Sequence, residues 1–260
     1  MTRASVVAGR VGVATLFLGV WELGARLGAL DPFFFSRPSS VAARVVEMLV
    51  SGKVWPHLAT TTLEAALAFL LGSLLGVACG FALARSRWMA DVLGPYIQVA
   101  NSLPRVVLAP VFLLWFGLGI ASKVALGVTV VFFVVFFNTM KGVREVPQAL
   151  IDNARMLGAT ERQLARHVLL PSALTWIFSS LEISVGLAII AAVVGEYLGA
   201  VRGIGYLIAQ AEGVFDTTGV FAGMAFLAAF VLIVSTLVSR LERRLLKWRP
   251  ATGPSLDSRG

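Results

Sequence analysis

The polar segment 152–171 lies between two strongly apolar stretches and reads DNARMLGATERQLARHVLLP. Its residue types and spacing favour a docking surface, because apolar and charged side chains recur at helical intervals on both sides of Gly158. A segment this regular is not typical of a linker. We therefore predict that 152–171 is an ordered element that interrupts a membrane domain and contacts a soluble partner.

Motifs for covalent chemistry or nucleotide binding are missing from the chain. It contains no G-x-x-x-x-G-K-[ST] phosphate loop, no H-E-x-x-H and no G-x-S-x-G elbow. The two histidines, His57 and His167, are not spaced as a metal pair, and Cys79 stands alone in an apolar stretch. We predict no catalytic residue, no metal site and no cofactor. ATP, if it drives the protein, must bind to another polypeptide.

The composition predicts an integral membrane protein. Hydrophobic residues make up 58% of the 260 positions and charged residues 14%, against about 45–50% and about 25% in soluble domains. A spanning helix needs roughly 20 apolar residues. Six such spans are predicted, at 11–30, 59–84, 91–117, 122–140, 172–199 and 218–240.

The distribution of Lys and Arg predicts the orientation, because basic residues collect on the cytoplasmic side. With a cytoplasmic N-terminus, fourteen basic residues lie inside: Arg3, Arg10, Arg85, Arg87, Lys141, Arg144, Arg155, Arg162, Arg166, Arg240, Arg243, Arg244, Lys247 and Arg249. Five lie outside: Arg37, Arg44, Lys53, Lys123 and Arg202. Both termini are then cytoplasmic. This asymmetry also explains the net charge of +8 without nucleic acid.

Polar residues inside the spans are candidates for a translocation pathway, because such residues are costly in lipid and face a cavity or a partner. The candidates are Asn101, Arg105, Asn138, Glu182 and Glu196, with Glu64 as a further ionisable residue. Prolines break the third span, where Arg105 could meet an anionic substrate or pair with a carboxylate such as Glu182. Glu196 is expected to be a gate or a snorkelling residue.

Local helix chemistry predicts a helix–turn–helix at 152–171. Gly158 can adopt positive φ and end the first helix. Thr160 and Gln163 fit a capping box that starts the second. Pro171 suits the first turn of the fifth span. On the other side of the membrane, apolar residues at helical spacing within 36–52 predict a short amphipathic helix on the outer interface.

The same segment resembles the EAA motif of ABC-importer permeases, E-A-A-x3-G-x9-I-x-L-P. Asp152-Asn153-Ala154, then Gly158 and Val168-Leu169-Leu170-Pro171, keep its spacing throughout. Asp and Asn replace the first Glu and Ala. Asp keeps the charge, whereas Asn153 is larger and polar, so the first turn is where the pattern departs from the family.

Further stretches resemble the nitrate/sulfonate/taurine branch of these permeases. They are NSLPR at 101–105 with AP at 109–110, LWFGLGIASK at 114–123, FNT at 137–139 with GVR at 142–144, and VGE at 194–196 with GIGYL at 203–207. The similarity covers roughly residues 36–249. It implies a small anion as substrate, such as a sulfonate, taurine or nitrate. Neutral heterocycles such as vitamin precursors remain an alternative.

The resemblance implies an all-α membrane protein of the type I ABC-importer permease fold, with six spans and a cytoplasmic coupling helix. It implies a second permease copy, two cytoplasmic ATPase subunits and an external substrate-binding protein, in the inner membrane of a prokaryote. The residues implied in ATPase coupling are Asp152, Asn153, Ala154, Arg155, Leu157, Gly158, Ala159, Leu170 and Pro171.

The expected organisation has three parts. Residues 1–58 form the first span and the outer helix, 59–249 form a five-span permease core with the EAA loop at 145–171, and 250–260 form a disordered cytoplasmic tail. The main alternative function is a self-sufficient channel or an ion-coupled transporter. The helix–Gly–helix segment and the lack of a repeated half argue against it.

Overall fold

A computed structural model describes residues 3–245, and every regular element in that range is helical. The elements are α1 (Arg3–Arg26), α2 (Pro32–Phe35), α3 (Pro38–Val50), α4 (Val54–Arg85), α5 (Arg87–Ser102), a 3₁₀ turn (Arg105–Leu108), α6 (Ala109–Phe116), α7 (Ile120–Arg144), α8 (Gln148–Met156), α9 (Glu161–Leu164), a π-helical turn (Ala165–Leu169), α10 (Leu170–Leu198), α11 (Ile204–Gly213) and α12 (Thr217–Leu245). The all-α prediction is confirmed for this range. The predicted tail at 250–260 lies outside it.

Four helices among the described residues are long and apolar enough to cross a bilayer: Val54–Arg85, Ile120–Arg144, Glu161–Leu198 and Thr217–Val238. The bent pair of α5 and Arg105–Phe116 can form a fifth span. Five of the six predicted spans therefore have a counterpart. The first, 11–30, coincides largely with α1, whose length of about 36 Å suits a span, but its role as one stays a prediction.

Glycines let α4 lie directly on α7. A Cβ added to Gly72 would come within 2.7 Å of Val131 Cβ, one on Gly76 within 2.8 Å of Val135 Cβ, and one on Gly80 within 2.5 Å of Phe136 O. Along this stripe the absence of side chains lets the two backbones approach closely. The two helices and α10 form the centre of the molecule.

The third predicted span is broken, as the sequence indicates. The α5 axis and the Arg105–Phe116 axis differ by 89°. The chain leaves the helix at Leu103, which adopts extended backbone with ψ 131° before Pro104, because proline disfavours helical geometry in the residue that precedes it. The bend brings Arg105 back toward the last turn of α5.

The amphipathic segment near the N-terminus forms α3, within the predicted range 36–52. Its Arg44 binds Asp216, just before α12, with an Nη1–Oδ2 distance of 2.9 Å, and Val41 is buried. The helix is thus confirmed and fixed to α12. Its position at the outer interface stays a prediction.

Candidate functional site

The segment between α7 and α10 has the predicted helix–turn–helix form. Gly158 adopts φ +83° directly after α8, so the first helix ends there, as expected. Thr160 caps α9, with its Oγ1 accepting from the Gln163 backbone N–H at 3.3 Å while the Gln163 Oε1 accepts from the Thr160 N–H at 2.8 Å. The capping box is therefore confirmed.

The second helix runs without a break into the membrane. From Glu161 the chain continues through α9, the π-helical turn and α10 to Leu198, a single stretch of 38 residues. Pro171 lies in the first turn of α10, as predicted. The π-helical turn at Ala165–Leu169 is not indicated by the sequence pattern. Any force on α9 would be transmitted along this continuous helix to the fifth span.

The base of the segment is held by a small apolar cluster. Val143 and Val146 pack with Leu164 and Leu169, and Ile151 and Ala154 of α8 pack against this cluster. Exposed ion pairs also connect α9 with α8 and α4, because the Glu161 carboxylate lies 3.0 Å from Arg155 Nη2 and 3.5 Å from Arg85 Nη2. The segment is consequently anchored to the ends of α4 and α7.

The tip of the segment is apolar and uncovered. Leu157 is 89% exposed and Met156 is 80% exposed, and a Cβ on Gly158 would meet nothing within 4 Å. Leu150, seven residues before Leu157 and therefore on the same side of the helix, is 48% exposed. Large apolar side chains exposed together on a rigid support mark a surface for another protein.

The other residues assigned to coupling surround this tip. Asp152 accepts a hydrogen bond from Gln148 Nε2 at 2.9 Å, and Asn153 is exposed. Ala154 and Ala159 are half-buried, whereas Leu170 and Pro171 lie exposed at the start of α10. The predicted set therefore has two parts, an exposed tip and the foot of the fifth span.

Two of the five pathway candidates lie together. Arg105 Nη2 donates to Asn101 Oδ1 at 2.6 Å and Nη1 donates to the Asn101 carbonyl at 2.5 Å. The Arg105 guanidinium also lies 4.9 Å above the ring of Phe133. The pairing of Arg105 with Glu182 is wrong, because the bend at Pro104 directs the guanidinium back to the last turn of α5.

The remaining candidates are separate from this pair. Asn138 donates from Nδ2 to the Val134 carbonyl of its own helix at 2.8 Å. Glu182 is exposed on α10. Glu196 is 1% exposed, so it cannot snorkel to an interface.

A cleft of about 410 Å³ between α5 and α7 connects Asn101 with the end of the membrane domain. Its lining includes Gln98, Asn101, Phe137 and Arg144. A second cleft, of about 650 Å³, shares Arg144 and extends beneath the α7–α10 segment, where its lining residues include Arg85, Arg87, Asp91 and Arg155. Polar and basic groups thus continue from the broken span to the coupling segment.

Glu196 belongs to a buried polar cluster that joins four helices. Its Oε1 accepts from Thr61 Oγ1 at 2.6 Å and its Oε2 accepts from the Gly205 N–H at 2.8 Å. Glu64 of α4 and Lys123 of α7 face it, with 2% and 1% exposure. These contacts hold the start of α11 against α4.

Lys123, which the sequence assigns to the outer side of the membrane, is buried within the protein. Its stem packs on Gly195, and its Nζ donates to the Leu118 carbonyl at 2.6 Å. The count of basic residues on each side of the membrane does not indicate whether such a residue is exposed or buried. Two glutamates in other apolar stretches, Glu64 and Glu196, were the available signal that a buried cation was needed.

The family model for the binding-protein-dependent transport system inner membrane component matches residues 68–247. The riboflavin transport system permease protein RibX of Chloroflexus aurantiacus is 36% identical over 233 residues, covering 90% of this chain and 87% of that protein. The putative aliphatic sulfonates transport permease protein SsuC of Bacillus subtilis is 34% identical over 234 residues, covering 90% and 85%.

A solved structure supports the same fold. The inward-facing MetNI methionine ABC transporter contains a chain that aligns with a TM-score of 0.59 at 22% identity, covering 74% of this chain and 93% of that one. The helices described above therefore have the arrangement of a type I ABC-importer permease, which confirms the fold expected from the resemblance.

Proposed function

Because the chain belongs to the family of binding-protein-dependent transport system inner membrane components, and is thus an ABC-importer permease subunit, we propose that residues 148–171 dock on a cytoplasmic ATPase and drive transport of a small anion. The protein supplies the membrane pathway and not the ATP site. Binding-protein-dependent transport requires a ligand-delivering partner outside the cell, which we propose for this chain as well.

The exposed apolar tip carries the coupling proposal. Leu157 and Met156 stand at the end of a segment whose base is fixed by packing and whose second helix continues as the fifth span. An ATPase groove that covers the tip can push or pull it when the ATPase dimer closes. The continuous helix then transmits that motion to α10, and the membrane helices rock between inward- and outward-open states.

Replacement of the tip side chain should weaken ATPase binding. Leu157→Ser removes an apolar anchor that a docking groove would desolvate, so we expect the affinity to fall at least about tenfold. Co-purification of the permease with the ATPase subunit of its transporter measures the change. Val50→Ser is the matched control, because Val50 is 83% exposed at the end of α3, on the proposed opposite side.

The same purification tests assembly and orientation. We expect a complex whose mass corresponds to two copies of this chain and two ATPase subunits. Docking at 148–171 would place that segment, and with it both termini, in the cytoplasm. Unchanged ATPase binding by Leu157→Ser would contradict the coupling assignment, and a mass with a single permease copy would contradict the homodimer.

The proposed substrate is a small organic or inorganic anion such as a sulfonate, taurine or nitrate. Arg105 supports this class because it lies at the bend of the third span, next to a cleft with further arginines. Similarity to RibX keeps a neutral heterocycle as the second candidate. The external binding protein selects the ligand, so its ligand spectrum discriminates the two classes.

Removing the charge of Arg105 should slow uptake of the anion. Arg105→Gln takes away the cation beside the cleft, and we expect a loss of about tenfold or more, in line with a charge-assisted hydrogen bond. Uptake into proteoliposomes with the binding protein and ATPase measures it. Arg37→Gln, an equal charge change at the exposed start of α3, is the control. Equal uptake by Arg105→Gln would contradict a role for Arg105 in the pathway.

A further inference from the structure

The buried cluster of Glu64, Lys123 and Glu196 contains two acidic side chains and only one basic side chain. Each side chain is at most 2% exposed, and each comes from a different helix of the membrane core. With every group ionised, two carboxylates would face one ammonium. An uncompensated charge at this depth is far more costly than a neutral polar group, so one further positive charge is needed.

Glu196 has the surroundings of a carboxylate. One of its oxygens accepts from Thr61 Oγ1 and the other from the Gly205 N–H. The Thr61 hydroxyl accepts from the Ile204 N–H at 3.0 Å. Its oxygen lies nearer to Glu196 Oε1, at 2.6 Å, than to the His57 carbonyl, at 3.1 Å, so its one hydrogen is donated to Glu196. Two donors on two oxygens stabilise the charged form.

Glu64 lacks such donors. Its Oε2 is fully buried and has no hydrogen-bond partner among the described residues. Lys123 is the one cation that faces it from α7, and the Lys123 ammonium already donates to Leu118. From α10 it faces Glu196, whose carboxylate can accept a hydrogen bond from the Glu64 carboxyl only when Glu64 carries a proton. His57, two turns away on α4, is engaged with the backbone of Gly203.

We propose that Glu64 is a proton-binding site in the membrane core, and that it holds one proton while Glu196 and Lys123 each keep their charge. The bound proton makes the cluster electrically neutral. It thereby allows Glu196 to remain charged and to hold the turn at Gly203–Gly205 against α4. The ligand is a proton and not a metal ion, because the described residues contain no group of three His, Cys, Asp or Glu side chains that could hold one.

Infrared spectroscopy can detect the bound proton. In the full-length chain, purified at neutral pH in a detergent without ester groups, we expect the carbonyl band of a protonated carboxylic acid, shifted in deuterated water. Glu64→Gln should abolish the band. Glu47→Gln, which changes a carboxylate whose side chain is 64% exposed, should leave it intact. Absence of the band in the unaltered chain, or its survival in Glu64→Gln, overturns the proposal.

The two glutamine variants distinguish which carboxyl holds the proton. Gln has the shape of a protonated Glu, so Glu64→Gln should keep the thermal midpoint within about 2 °C. Glu196→Gln removes the negative charge that offsets Lys123 and should lower the midpoint by about 6 °C or more. Retention of monodisperse protein after heating measures both. A milder effect of Glu196→Gln than of Glu64→Gln would assign the proton to Glu196 and overturn the proposal.

Discussion

Lys123→Met is expected to destabilise the membrane domain by about 3–5 kcal/mol, because it leaves the buried carboxylate of Glu196 without a cation. Lys123 is 1% exposed, so water cannot replace the lost ammonium. Met keeps most of the stem that packs on Gly195, which separates loss of charge from loss of volume. For a chain of this size, a thermal midpoint lower by about 6–20 °C would follow.

The double variant Lys123→Met/Glu196→Gln should recover at least half of that loss. It removes the unpaired carboxylate together with the ammonium, so no uncompensated charge of the pair stays buried. Lys53→Met, on an exposed lysine directly before α4, should change stability by no more than about 0.5 kcal/mol. If the double variant were as unstable as the sum of the single variants, Lys123 and Glu196 would not act as a pair.

The sequence predicted those features whose causes are local. The end of α8 depends on Gly158 and its φ of +83°, the start of α9 on a Thr and a Gln three residues apart, and the broken third span on Pro104. Each follows from the conformational preference of one residue or from a contact within one turn. The spacing of the apolar residues in α3 likewise predicts that helix.

The features that the sequence did not indicate depend on contacts between distant parts of the chain. Glu64, Lys123 and Glu196 meet because α4, α7 and α10 pack together, and nothing near Lys123 in the sequence distinguishes it from a loop charge. A pairing of Arg105 with Glu182 is one of the two alternatives that the sequence offers, but the direction of the bend decides its partner, which is Asn101. The coupling residues, by contrast, were assigned from a contiguous motif, and their role awaits the ATPase-binding experiment.

Gly203→Ala is expected to abolish the ordered turn between α10 and α11. Gly203 adopts φ +122°, a conformation that side chains of L-residues rarely adopt. A Cβ there would also overlap the carboxylate of Glu196, with Cδ and both oxygens as its nearest neighbours. Glu196 cannot move aside without giving up its bonds to Thr61 and Gly205, and these bonds keep a buried charge satisfied.

Backbone strain and the displaced carboxylate together should lower the free energy of unfolding of Gly203→Ala by about 3 kcal/mol or more. A lower thermal midpoint and earlier proteolysis between α10 and α11 measure this loss. Gly213→Ala is the matched control, because Gly213 lies in α11, has no positive φ, and an added Cβ would meet nothing within 4 Å. It should stabilise the helix slightly, by about 0.5–1 kcal/mol. If Gly203→Ala were as stable as Gly213→Ala, the Glu196 carboxylate could not be what holds the turn. Glu196 would then have moved aside for the new Cβ without loss of stability, so its position would not constrain the backbone at Gly203.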